Sequence, residues 1–253
     1  MKESVTVAFN ELRKEPYASI LCYPKYDDVE LQNRLEELEL HGVSNIEFMG
    51  KSNAFNIPIL GKGYVGIVVV AQRYGQHLAL KIRRVDADRS DLLHEAEMLK
   101  RANVVDVGPE FVEVSKNFLL MRLVEGDLLP TWLKFKPEPT VLRQVLSEVL
   151  EQAWRLDSIG LDHGELSKAP KHIIIDYYQQ PWLVDFETSS DKRKPANVTG
   201  ICQYLIMSFG PIPKAIVEIV GERDRSKIME TLREYKNNST REVLDRLIEA
   251  VLY

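Results

Sequence analysis

Residues 61–66, Gly61-Lys62-Gly63-Tyr64-Val65-Gly66, space three glycines as G-x-G-x-x-G. Without a Cβ, such a backbone can lie close to a phosphate and turn its N–H groups onto the oxygens. Two architectures use this run for different ends. In a dinucleotide-binding unit it opens a helix whose N-terminus meets a pyrophosphate. Here Ile67-Val68-Val69-Val70-Ala71 follows, and β-branched residues favour a strand over a helix. The run is therefore read as a flexible loop between two strands, although an ordinary glycine hairpin would share its signature. Lys81 ends the next strand-like stretch, and Glu95 and Glu97 lie on the helix expected beyond it. Two acid-bearing runs come later: Leu161-Asp162-His163-Gly164-Glu165-Leu166-Ser167-Lys168 and Leu183-Val184-Asp185-Phe186-Glu187. Carboxylates can accept a proton or hold a hard cation.

Positioning these groups requires the following elements. Residues 57–60 and 67–72 read as strands flanking the glycine turn, and Tyr74-Gly75-Gln76 turns the chain into a third strand over 78–83. A helix follows with Ser90 as N-cap and Leu92, Leu93, Ala96 and Leu99 at helical spacing. Residues 111–114 and 118–123 form a hairpin turned at Lys116-Asn117. Beyond Gly126 the pattern turns helical. Residues 140–159 put Val141, Val145, Val149, Ala153 and Leu156 on one stripe, and 173–177 and 181–185 make a short strand pair. Helices are expected near 198–209, 213–236 and 240–252. Residues 1–50 read as a mostly helical preface, with Leu31, Leu35 and Leu38 on one face and Gly42 as the C-cap. The expected division is thus 1–50, 51–124 and 125–253.

The chain has 253 residues, enough for one large domain or two small lobes, with 45% hydrophobic and 28% charged residues. A net charge of −5 gives no general attraction to nucleic acid or anionic membrane. Two cysteines, Cys22 and Cys202, cannot build a disulfide framework, which favours a reducing compartment. Glu3, Asn10, Glu11, Arg13 and Lys14 interrupt any signal-peptide core, and the apolar runs are too short to span a bilayer. A cytoplasmic protein without a membrane partner is expected.

Taken in order, the glycine loop, Ala79-Leu80-Lys81, Glu95, H-G-E-L-S and D-F-E resemble the protein-kinase superfamily, especially its small atypical branch. RIO kinases and the KEOPS-associated kinase write H-G-D-L-[ST] where other kinases write H-R-D-L-K, and a predicted archaeal-type Ser/Thr protein kinase group is similar. The resemblance covers about residues 60 to 187. It implies an α+β, bilobal protein-kinase-like fold. A small antiparallel sheet with one αC helix would form the N-lobe, a short helical C-lobe would follow, and ATP with Mg²⁺ or Mn²⁺ would lie in the cleft.

Residue by residue, it assigns Gly61, Gly63 and Gly66 to cover the phosphates, Lys81 to bind them and Glu95 to orient Lys81, with Glu97 the other acid on that helix. Leu60, Val68, Ala79 and Ile174 would sandwich the adenine. Met121 would be the gatekeeper, and the backbone of Arg122 and Val124 the hinge. Glu165 would accept the substrate proton, Asp185 would hold the metal, and Lys168 or Lys171 would offset γ-phosphate charge.

Departures from the family pattern bear on activity. Glu165 replaces aspartate, moving the base by about one bond length, and a misplacement of roughly 1 Å can cost on the order of a hundredfold. The metal-binding asparagine falls on Pro170 by strict counting, or on His172 when Lys171-His172-Ile173-Ile174-Ile175 is aligned with N-I-L-I. Imidazole is a poor Mg²⁺ ligand. Glu187 replaces glycine, either as a solvated group or as a further metal carboxylate. Lys192-Arg193-Lys194 reads as a solvated loop or a contact to an acidic partner. The function implied is phosphoryl transfer from ATP to Ser or Thr on a protein. A nucleotide-binding pseudokinase, with residues 1–50 as partner surface, and a small-molecule kinase are the alternatives.

Overall fold

The computed structural model describes residues 4–253, so Glu3 and the first residues of the expected 1–50 preface lie outside the described residues. The fold is mixed α+β and divides into two compact units. The first comprises residues 4–97 with Glu110–Leu123, the second Met98–Pro109 with Val124–Tyr253.

The elements of the first unit are β1 (Val5–Ala8), α1 (Tyr17–Leu21), α2 (Asp28–Leu40), β2 (Val43–Phe48), β3 (Ser52–Ala54), β4 (Ile57–Ile59), β5 (Gly61–Lys62), β6 (Gly66–Arg73), β7 (Gln76–Arg83), the start of α3 (Leu93–Asn103), β8 (Phe111–Val114) and β9 (Phe118–Arg122). Strands β1-β2-β6-β7-β9-β8 lie in that order, every neighbouring pair antiparallel, with β5 added to β6. Successive residues of a strand face opposite sides. Ile67, Val69, Leu80, Ile82, Phe118 and Leu120 therefore share one side, while Val68, Ala79, Lys81, Leu119 and Met121 share the other.

The first of these sides departs from expectation. The boundary expected at residue 50 does not exist in the packing: one core joins Ile67, Val69, Leu80 and Ile82 to Leu12, Ile20, Leu21, Leu35, Leu38, Ile46 and Phe48. Residues 4–50 do carry two helices, but they also supply strands β1 and β2 of the main sheet. Period-2 alternation makes this side of β6 and β7 apolar at Ile67, Val69, Ala71, Leu78, Leu80 and Ile82, and burying each large side chain contributes on the order of 2 kcal/mol. The preface is the layer that covers it. Leu31, Leu35 and Leu38 are buried there rather than held out for a partner.

A polar clasp fixes the register of α2. Arg34, fully buried, donates to Glu30 (2.7 Å), to the carbonyls of Leu21 and Arg83 (both 2.6 Å) and to Asn117 Oδ1 (3.2 Å). Glu37 accepts from Asn117 N–H (3.0 Å) and Nδ2 (2.5 Å). Buried charge requires this degree of satisfaction. The opposite side of the sheet packs Leu119 with Val65, Leu92 and Ala96 of the α3 region. Ser90 does not cap α3 as expected. Asp91 Oδ1 takes the Leu93 N–H at 3.1 Å, and Ser90 donates its hydroxyl to Asp91 instead.

The second unit contains β10 (Gly126–Leu128), α4 (Leu129–Trp132), α5 (Pro139–Ser158), β11 (Ile173–Asp176), β12 (Pro181–Leu183), α6 (Asn197–Cys202), α7 (Pro211–Val220), α8 (Arg225–Asn237) and α9 (Arg241–Leu252). Strands β10-β11-β12 form an antiparallel sheet. Helix α5 buries Leu142, Val145, Leu146, Val149, Leu150, Ala153 and Leu156, and packs on α6, α7, α9 and β12. The single helix expected over 213–236 is two. Gly221 takes φ 87° after α7, and Asp224 restarts the chain by accepting the N–H groups of Ser226 (2.9 Å) and Lys227 (3.2 Å). Helix α6 runs on into a π-helical turn over Gln203–Met207. Among the described residues no helix is long and apolar enough to cross a membrane.

Candidate functional site

In the first unit the glycine run is a strand–loop–strand, not a helix start. Gly63 N–H donates to the Gly66 carbonyl at 2.8 Å, and Leu60 N–H to the Val68 carbonyl at 2.9 Å. Arg84 closes the loop from the side, its guanidinium donating to the Gly63 carbonyl at 3.1 Å and its N–H to the Val65 carbonyl at 2.7 Å. Gly66 has a steric reason to be glycine. A Cβ there would sit 3.0 Å from Lys81 Cγ and 2.9 Å from the Ile82 carbonyl oxygen. The stem of Lys81 thus runs directly beneath the loop. Tyr64 caps the loop tip, 92% exposed.

Lys81 Nζ lies 2.9 Å from Glu95 Oε1 and 2.8 Å from Oε2, and both side chains are only 5% exposed. The paired acid is therefore Glu95, while Glu97 is exposed. A lysine held this way keeps one orientation of its ammonium, because moving it would strand a buried carboxylate. Val68, Ala79 and Met121 share the sheet side of Lys81, and Leu60 joins them through its bond to Val68. Arg122 ends β9 and already donates its N–H to the Glu110 carbonyl at 2.8 Å. Val124 and Ile174 belong to the second unit, Ile174 half-buried on β11 between Leu128 and Trp182.

In the second unit three of the expected residues converge. His172 Nε2 lies 3.2 Å from Glu165 Oε2 and 3.7 Å from Asp185 Oδ2. One donor atom of each falls within 4.8 Å of the other two, a set able to hold a divalent cation. The carboxylates are accessible, with side-chain exposures of 41% for Glu165 and 37% for Asp185, while His172 is at 11%. The chain reaches this arrangement by a tight crossing: Val184 N–H donates to the His172 carbonyl at 3.0 Å. Asp185 itself sits at φ 72°, a left-handed conformation that costs a non-glycine residue on the order of 1 kcal/mol and is enriched at functional positions. Lys168 lies in the short turn after Glu165, its N–H bonded to the Glu165 carbonyl at 3.0 Å, with its side chain exposed.

Behind the three is a dry layer. His163 is fully buried, its ring 5.0 Å from that of Phe186 and 5.6 Å from that of His172, and its Nε2 is 3.2 Å from the Val184 carbonyl. Burial, and secondarily the neighbouring His172, pushes its pKa down to about 4, so the imidazole is neutral near pH 7 and its Nε2 is the donor to that carbonyl. Phe186 packs so tightly on Gly108 that a Cβ there would come within 2.7 Å of its ring.

Two residues that the sequence did not single out set the loop. Asn197 accepts the His163 N–H at 2.8 Å and donates Nδ2 to Asp157 (2.8 Å) and to the Leu161 carbonyl (2.7 Å). Asp157, whose pKa is raised by burial, gathers the N–H groups of Asn197 (2.9 Å) and Val198 (3.2 Å) and the Tyr235 hydroxyl (3.0 Å). The Asn197-Val198 start of a helix was visible, but partners 34 to 40 residues away were not. No family model and no curated protein matches this chain.

The basic triplet also departs from a fully solvated loop. Arg193 turns onto Asp162 (2.9 Å) and the Thr188 carbonyl (2.6 Å), and Lys194 donates to the Lys236 carbonyl at 3.2 Å. Gly164, at φ 91°, leaves room for Arg193: a Cβ there would lie 2.7 Å from its Nη2. Glu187 opens the turn after Phe186 and is half-buried.

Proposed function

We propose that this chain is an ATP-dependent phosphotransferase of the atypical protein-kinase type, bilobal in fold, passing the γ-phosphate to a Ser or Thr hydroxyl on a protein. The observation that carries it is the buried Lys81–Glu95 pair, with the lysine stem lying beneath Gly66 of the glycine loop. An ammonium fixed under a phosphate-sized backbone loop is suited to the oxygens of a nucleotide phosphate.

Asp185 and His172 fit a divalent cation by donor type and spacing, with the Glu165 carboxylate beside them as the proton acceptor. Such an ion would neutralise phosphate charge. A set with one imidazole suits Mn²⁺ better than Mg²⁺. Within this scheme the acceptor oxygen bonds to the γ-phosphorus, the bond to the bridging oxygen of ADP breaks, and Glu165 takes the hydroxyl proton. The two buried free thiols suit a reducing, cytoplasmic setting.

The experiment is incubation with labelled ATP and Mg²⁺ or Mn²⁺, comparing the protein with Asp185→Ala. Label transfer to protein that the variant abolishes supports the proposal, and equal labelling removes it. A second reading, nucleotide binding with little turnover, is favoured by one contact. His172 Nε2 at 3.2 Å already engages the Glu165 oxygen that would take the proton. It predicts ATP-dependent thermal stabilisation without label transfer.

A further inference from the structure

A cavity of about 500 Å³ opens in the second unit, walled by the aromatic rings of Trp132, Phe135 and Tyr177. Asp127, Glu138 and Asp176 are among its lining residues, and among the described residues no Lys, Arg or His lines it. Lys134 and Lys136 flank Phe135 in the chain but are not among the lining residues.

The walls are preorganised. The Trp132 indole N–H donates to Gln179 Oε1 at 2.9 Å. Asp176 holds the turn that carries Tyr177, accepting the N–H groups of Tyr178 and Gln180 (both 2.8 Å) and the Trp182 indole N–H (3.0 Å). The rim, by contrast, is wet: Phe135 is 69% and Tyr177 73% exposed, and neighbouring Tyr178 is 86% exposed.

We propose that this cavity binds a lysine or arginine side chain presented by an extended polypeptide, whose adjacent apolar residues cover Tyr178. Aromatic faces attract a cation, and the carboxylates reject anions and reward positive charge. Exposed aromatic surface beside the cavity argues for a chain rather than a free amine, because a small amine would leave that surface in water. The cavity shares no residue with the Lys81 or Glu165–His172–Asp185 groups, so the inference stands apart from phosphate transfer.

The test uses the full chain and a fluorescein-labelled peptide containing Arg-Arg followed by spaced leucines. Its control is the same peptide with the arginines replaced by citrulline, which keeps the shape and removes the charge. Binding is read by anisotropy and by the Trp132 indole N–H signal, assigned with Trp132→Phe. The arginine peptide is expected to bind about tenfold tighter than the citrulline peptide and to shift the Trp132 signal. Phe135→Ala and Tyr177→Ala, both at exposed positions, should each weaken it about fivefold, and Glu138→Lys should weaken it further. Equal binding of the two peptides, an unmoved Trp132 signal, or unchanged affinity in these variants would overturn the proposal. So would displacement of the peptide by spermidine at peptide-like concentrations, which would assign the cavity to free amines.

Discussion

The candidate charged groups of the first unit, Lys81 and Glu95, are dry and of opposite sign, whereas the two candidate carboxylates of the second, Glu165 and Asp185, are accessible and share one sign. Lys81 and Glu95 neutralise each other at 2.8 Å with side chains 5% exposed. Glu165 and Asp185 present two accessible carboxylates with one imidazole between them. The first arrangement ties one lysine to one carboxylate away from water. The second gathers two accessible carboxylates and one imidazole, a donor set that suits a divalent cation. Burial fixes the lysine in the first, and exposure keeps the carboxylates of the second within reach of solvent ions.

Breaking the dry pair should have the largest effect. Glu95→Ala is expected to lower stability by about 3–5 kcal/mol, since it removes one partner of a buried ion pair. The double variant Lys81→Met with Glu95→Leu should recover most of that loss in guanidinium unfolding. A single-variant loss well under 1 kcal/mol would mean the pair is not dry.

The wet group should respond in the opposite way. Asp185→Asn is expected to cost little stability, because asparagine tolerates the left-handed backbone found there. The proposed phosphate transfer should nevertheless fall on the order of a hundredfold. Mn²⁺ should stabilise the protein by about 2.7 kcal/mol at a hundred times its Kd, more than Mg²⁺ does at the same concentration, and His172→Ala should remove that preference. Thermal melts with each metal read this directly, and equal responses would assign His172 a structural role.

Asn197→Ala should cost about 1–3 kcal/mol, since it leaves the His163 N–H and the Leu161 carbonyl without their partner. It should also blunt the Mn²⁺ response, through the loop that carries Glu165. The smallest effect compares the interiors. Burial raises the Cys22 thiol and pushes Cys202 up to about 12, so both stay protonated at pH 8. Ellman's reagent should leave both unreacted in the native protein and titrate both in denaturant. Prompt reaction of either would show that its unit opens.

The glycine loop, the strand ending in Lys81, helix α5 and the strand pair β11–β12 were legible because their signals are local. Glycine spacing, β-branched runs and an apolar stripe act within a few residues. Glu95 was selected over Glu97 through family spacing, and the structure pairs it with Lys81. The break at Gly221 was missed because the apolar stripe continues on either side of it. The cap went to Asp91 rather than Ser90, two acceptors one residue apart that propensity does not separate.

By itself the sequence determined the strand-rich stretch from 57 to 83, the long helix α5 and the glycine spacing of the loop, because backbone sterics and period operate along the chain. Only the tertiary structure decided that residues 4–50 complete the main sheet and its core, that Asn197 and Asp157 brace the Glu165 loop, and that His172 faces two carboxylates. Those facts depend on pairings across tens of residues, where burial of whole faces and satisfaction of buried polar groups select the partner, and no local pattern carries that choice.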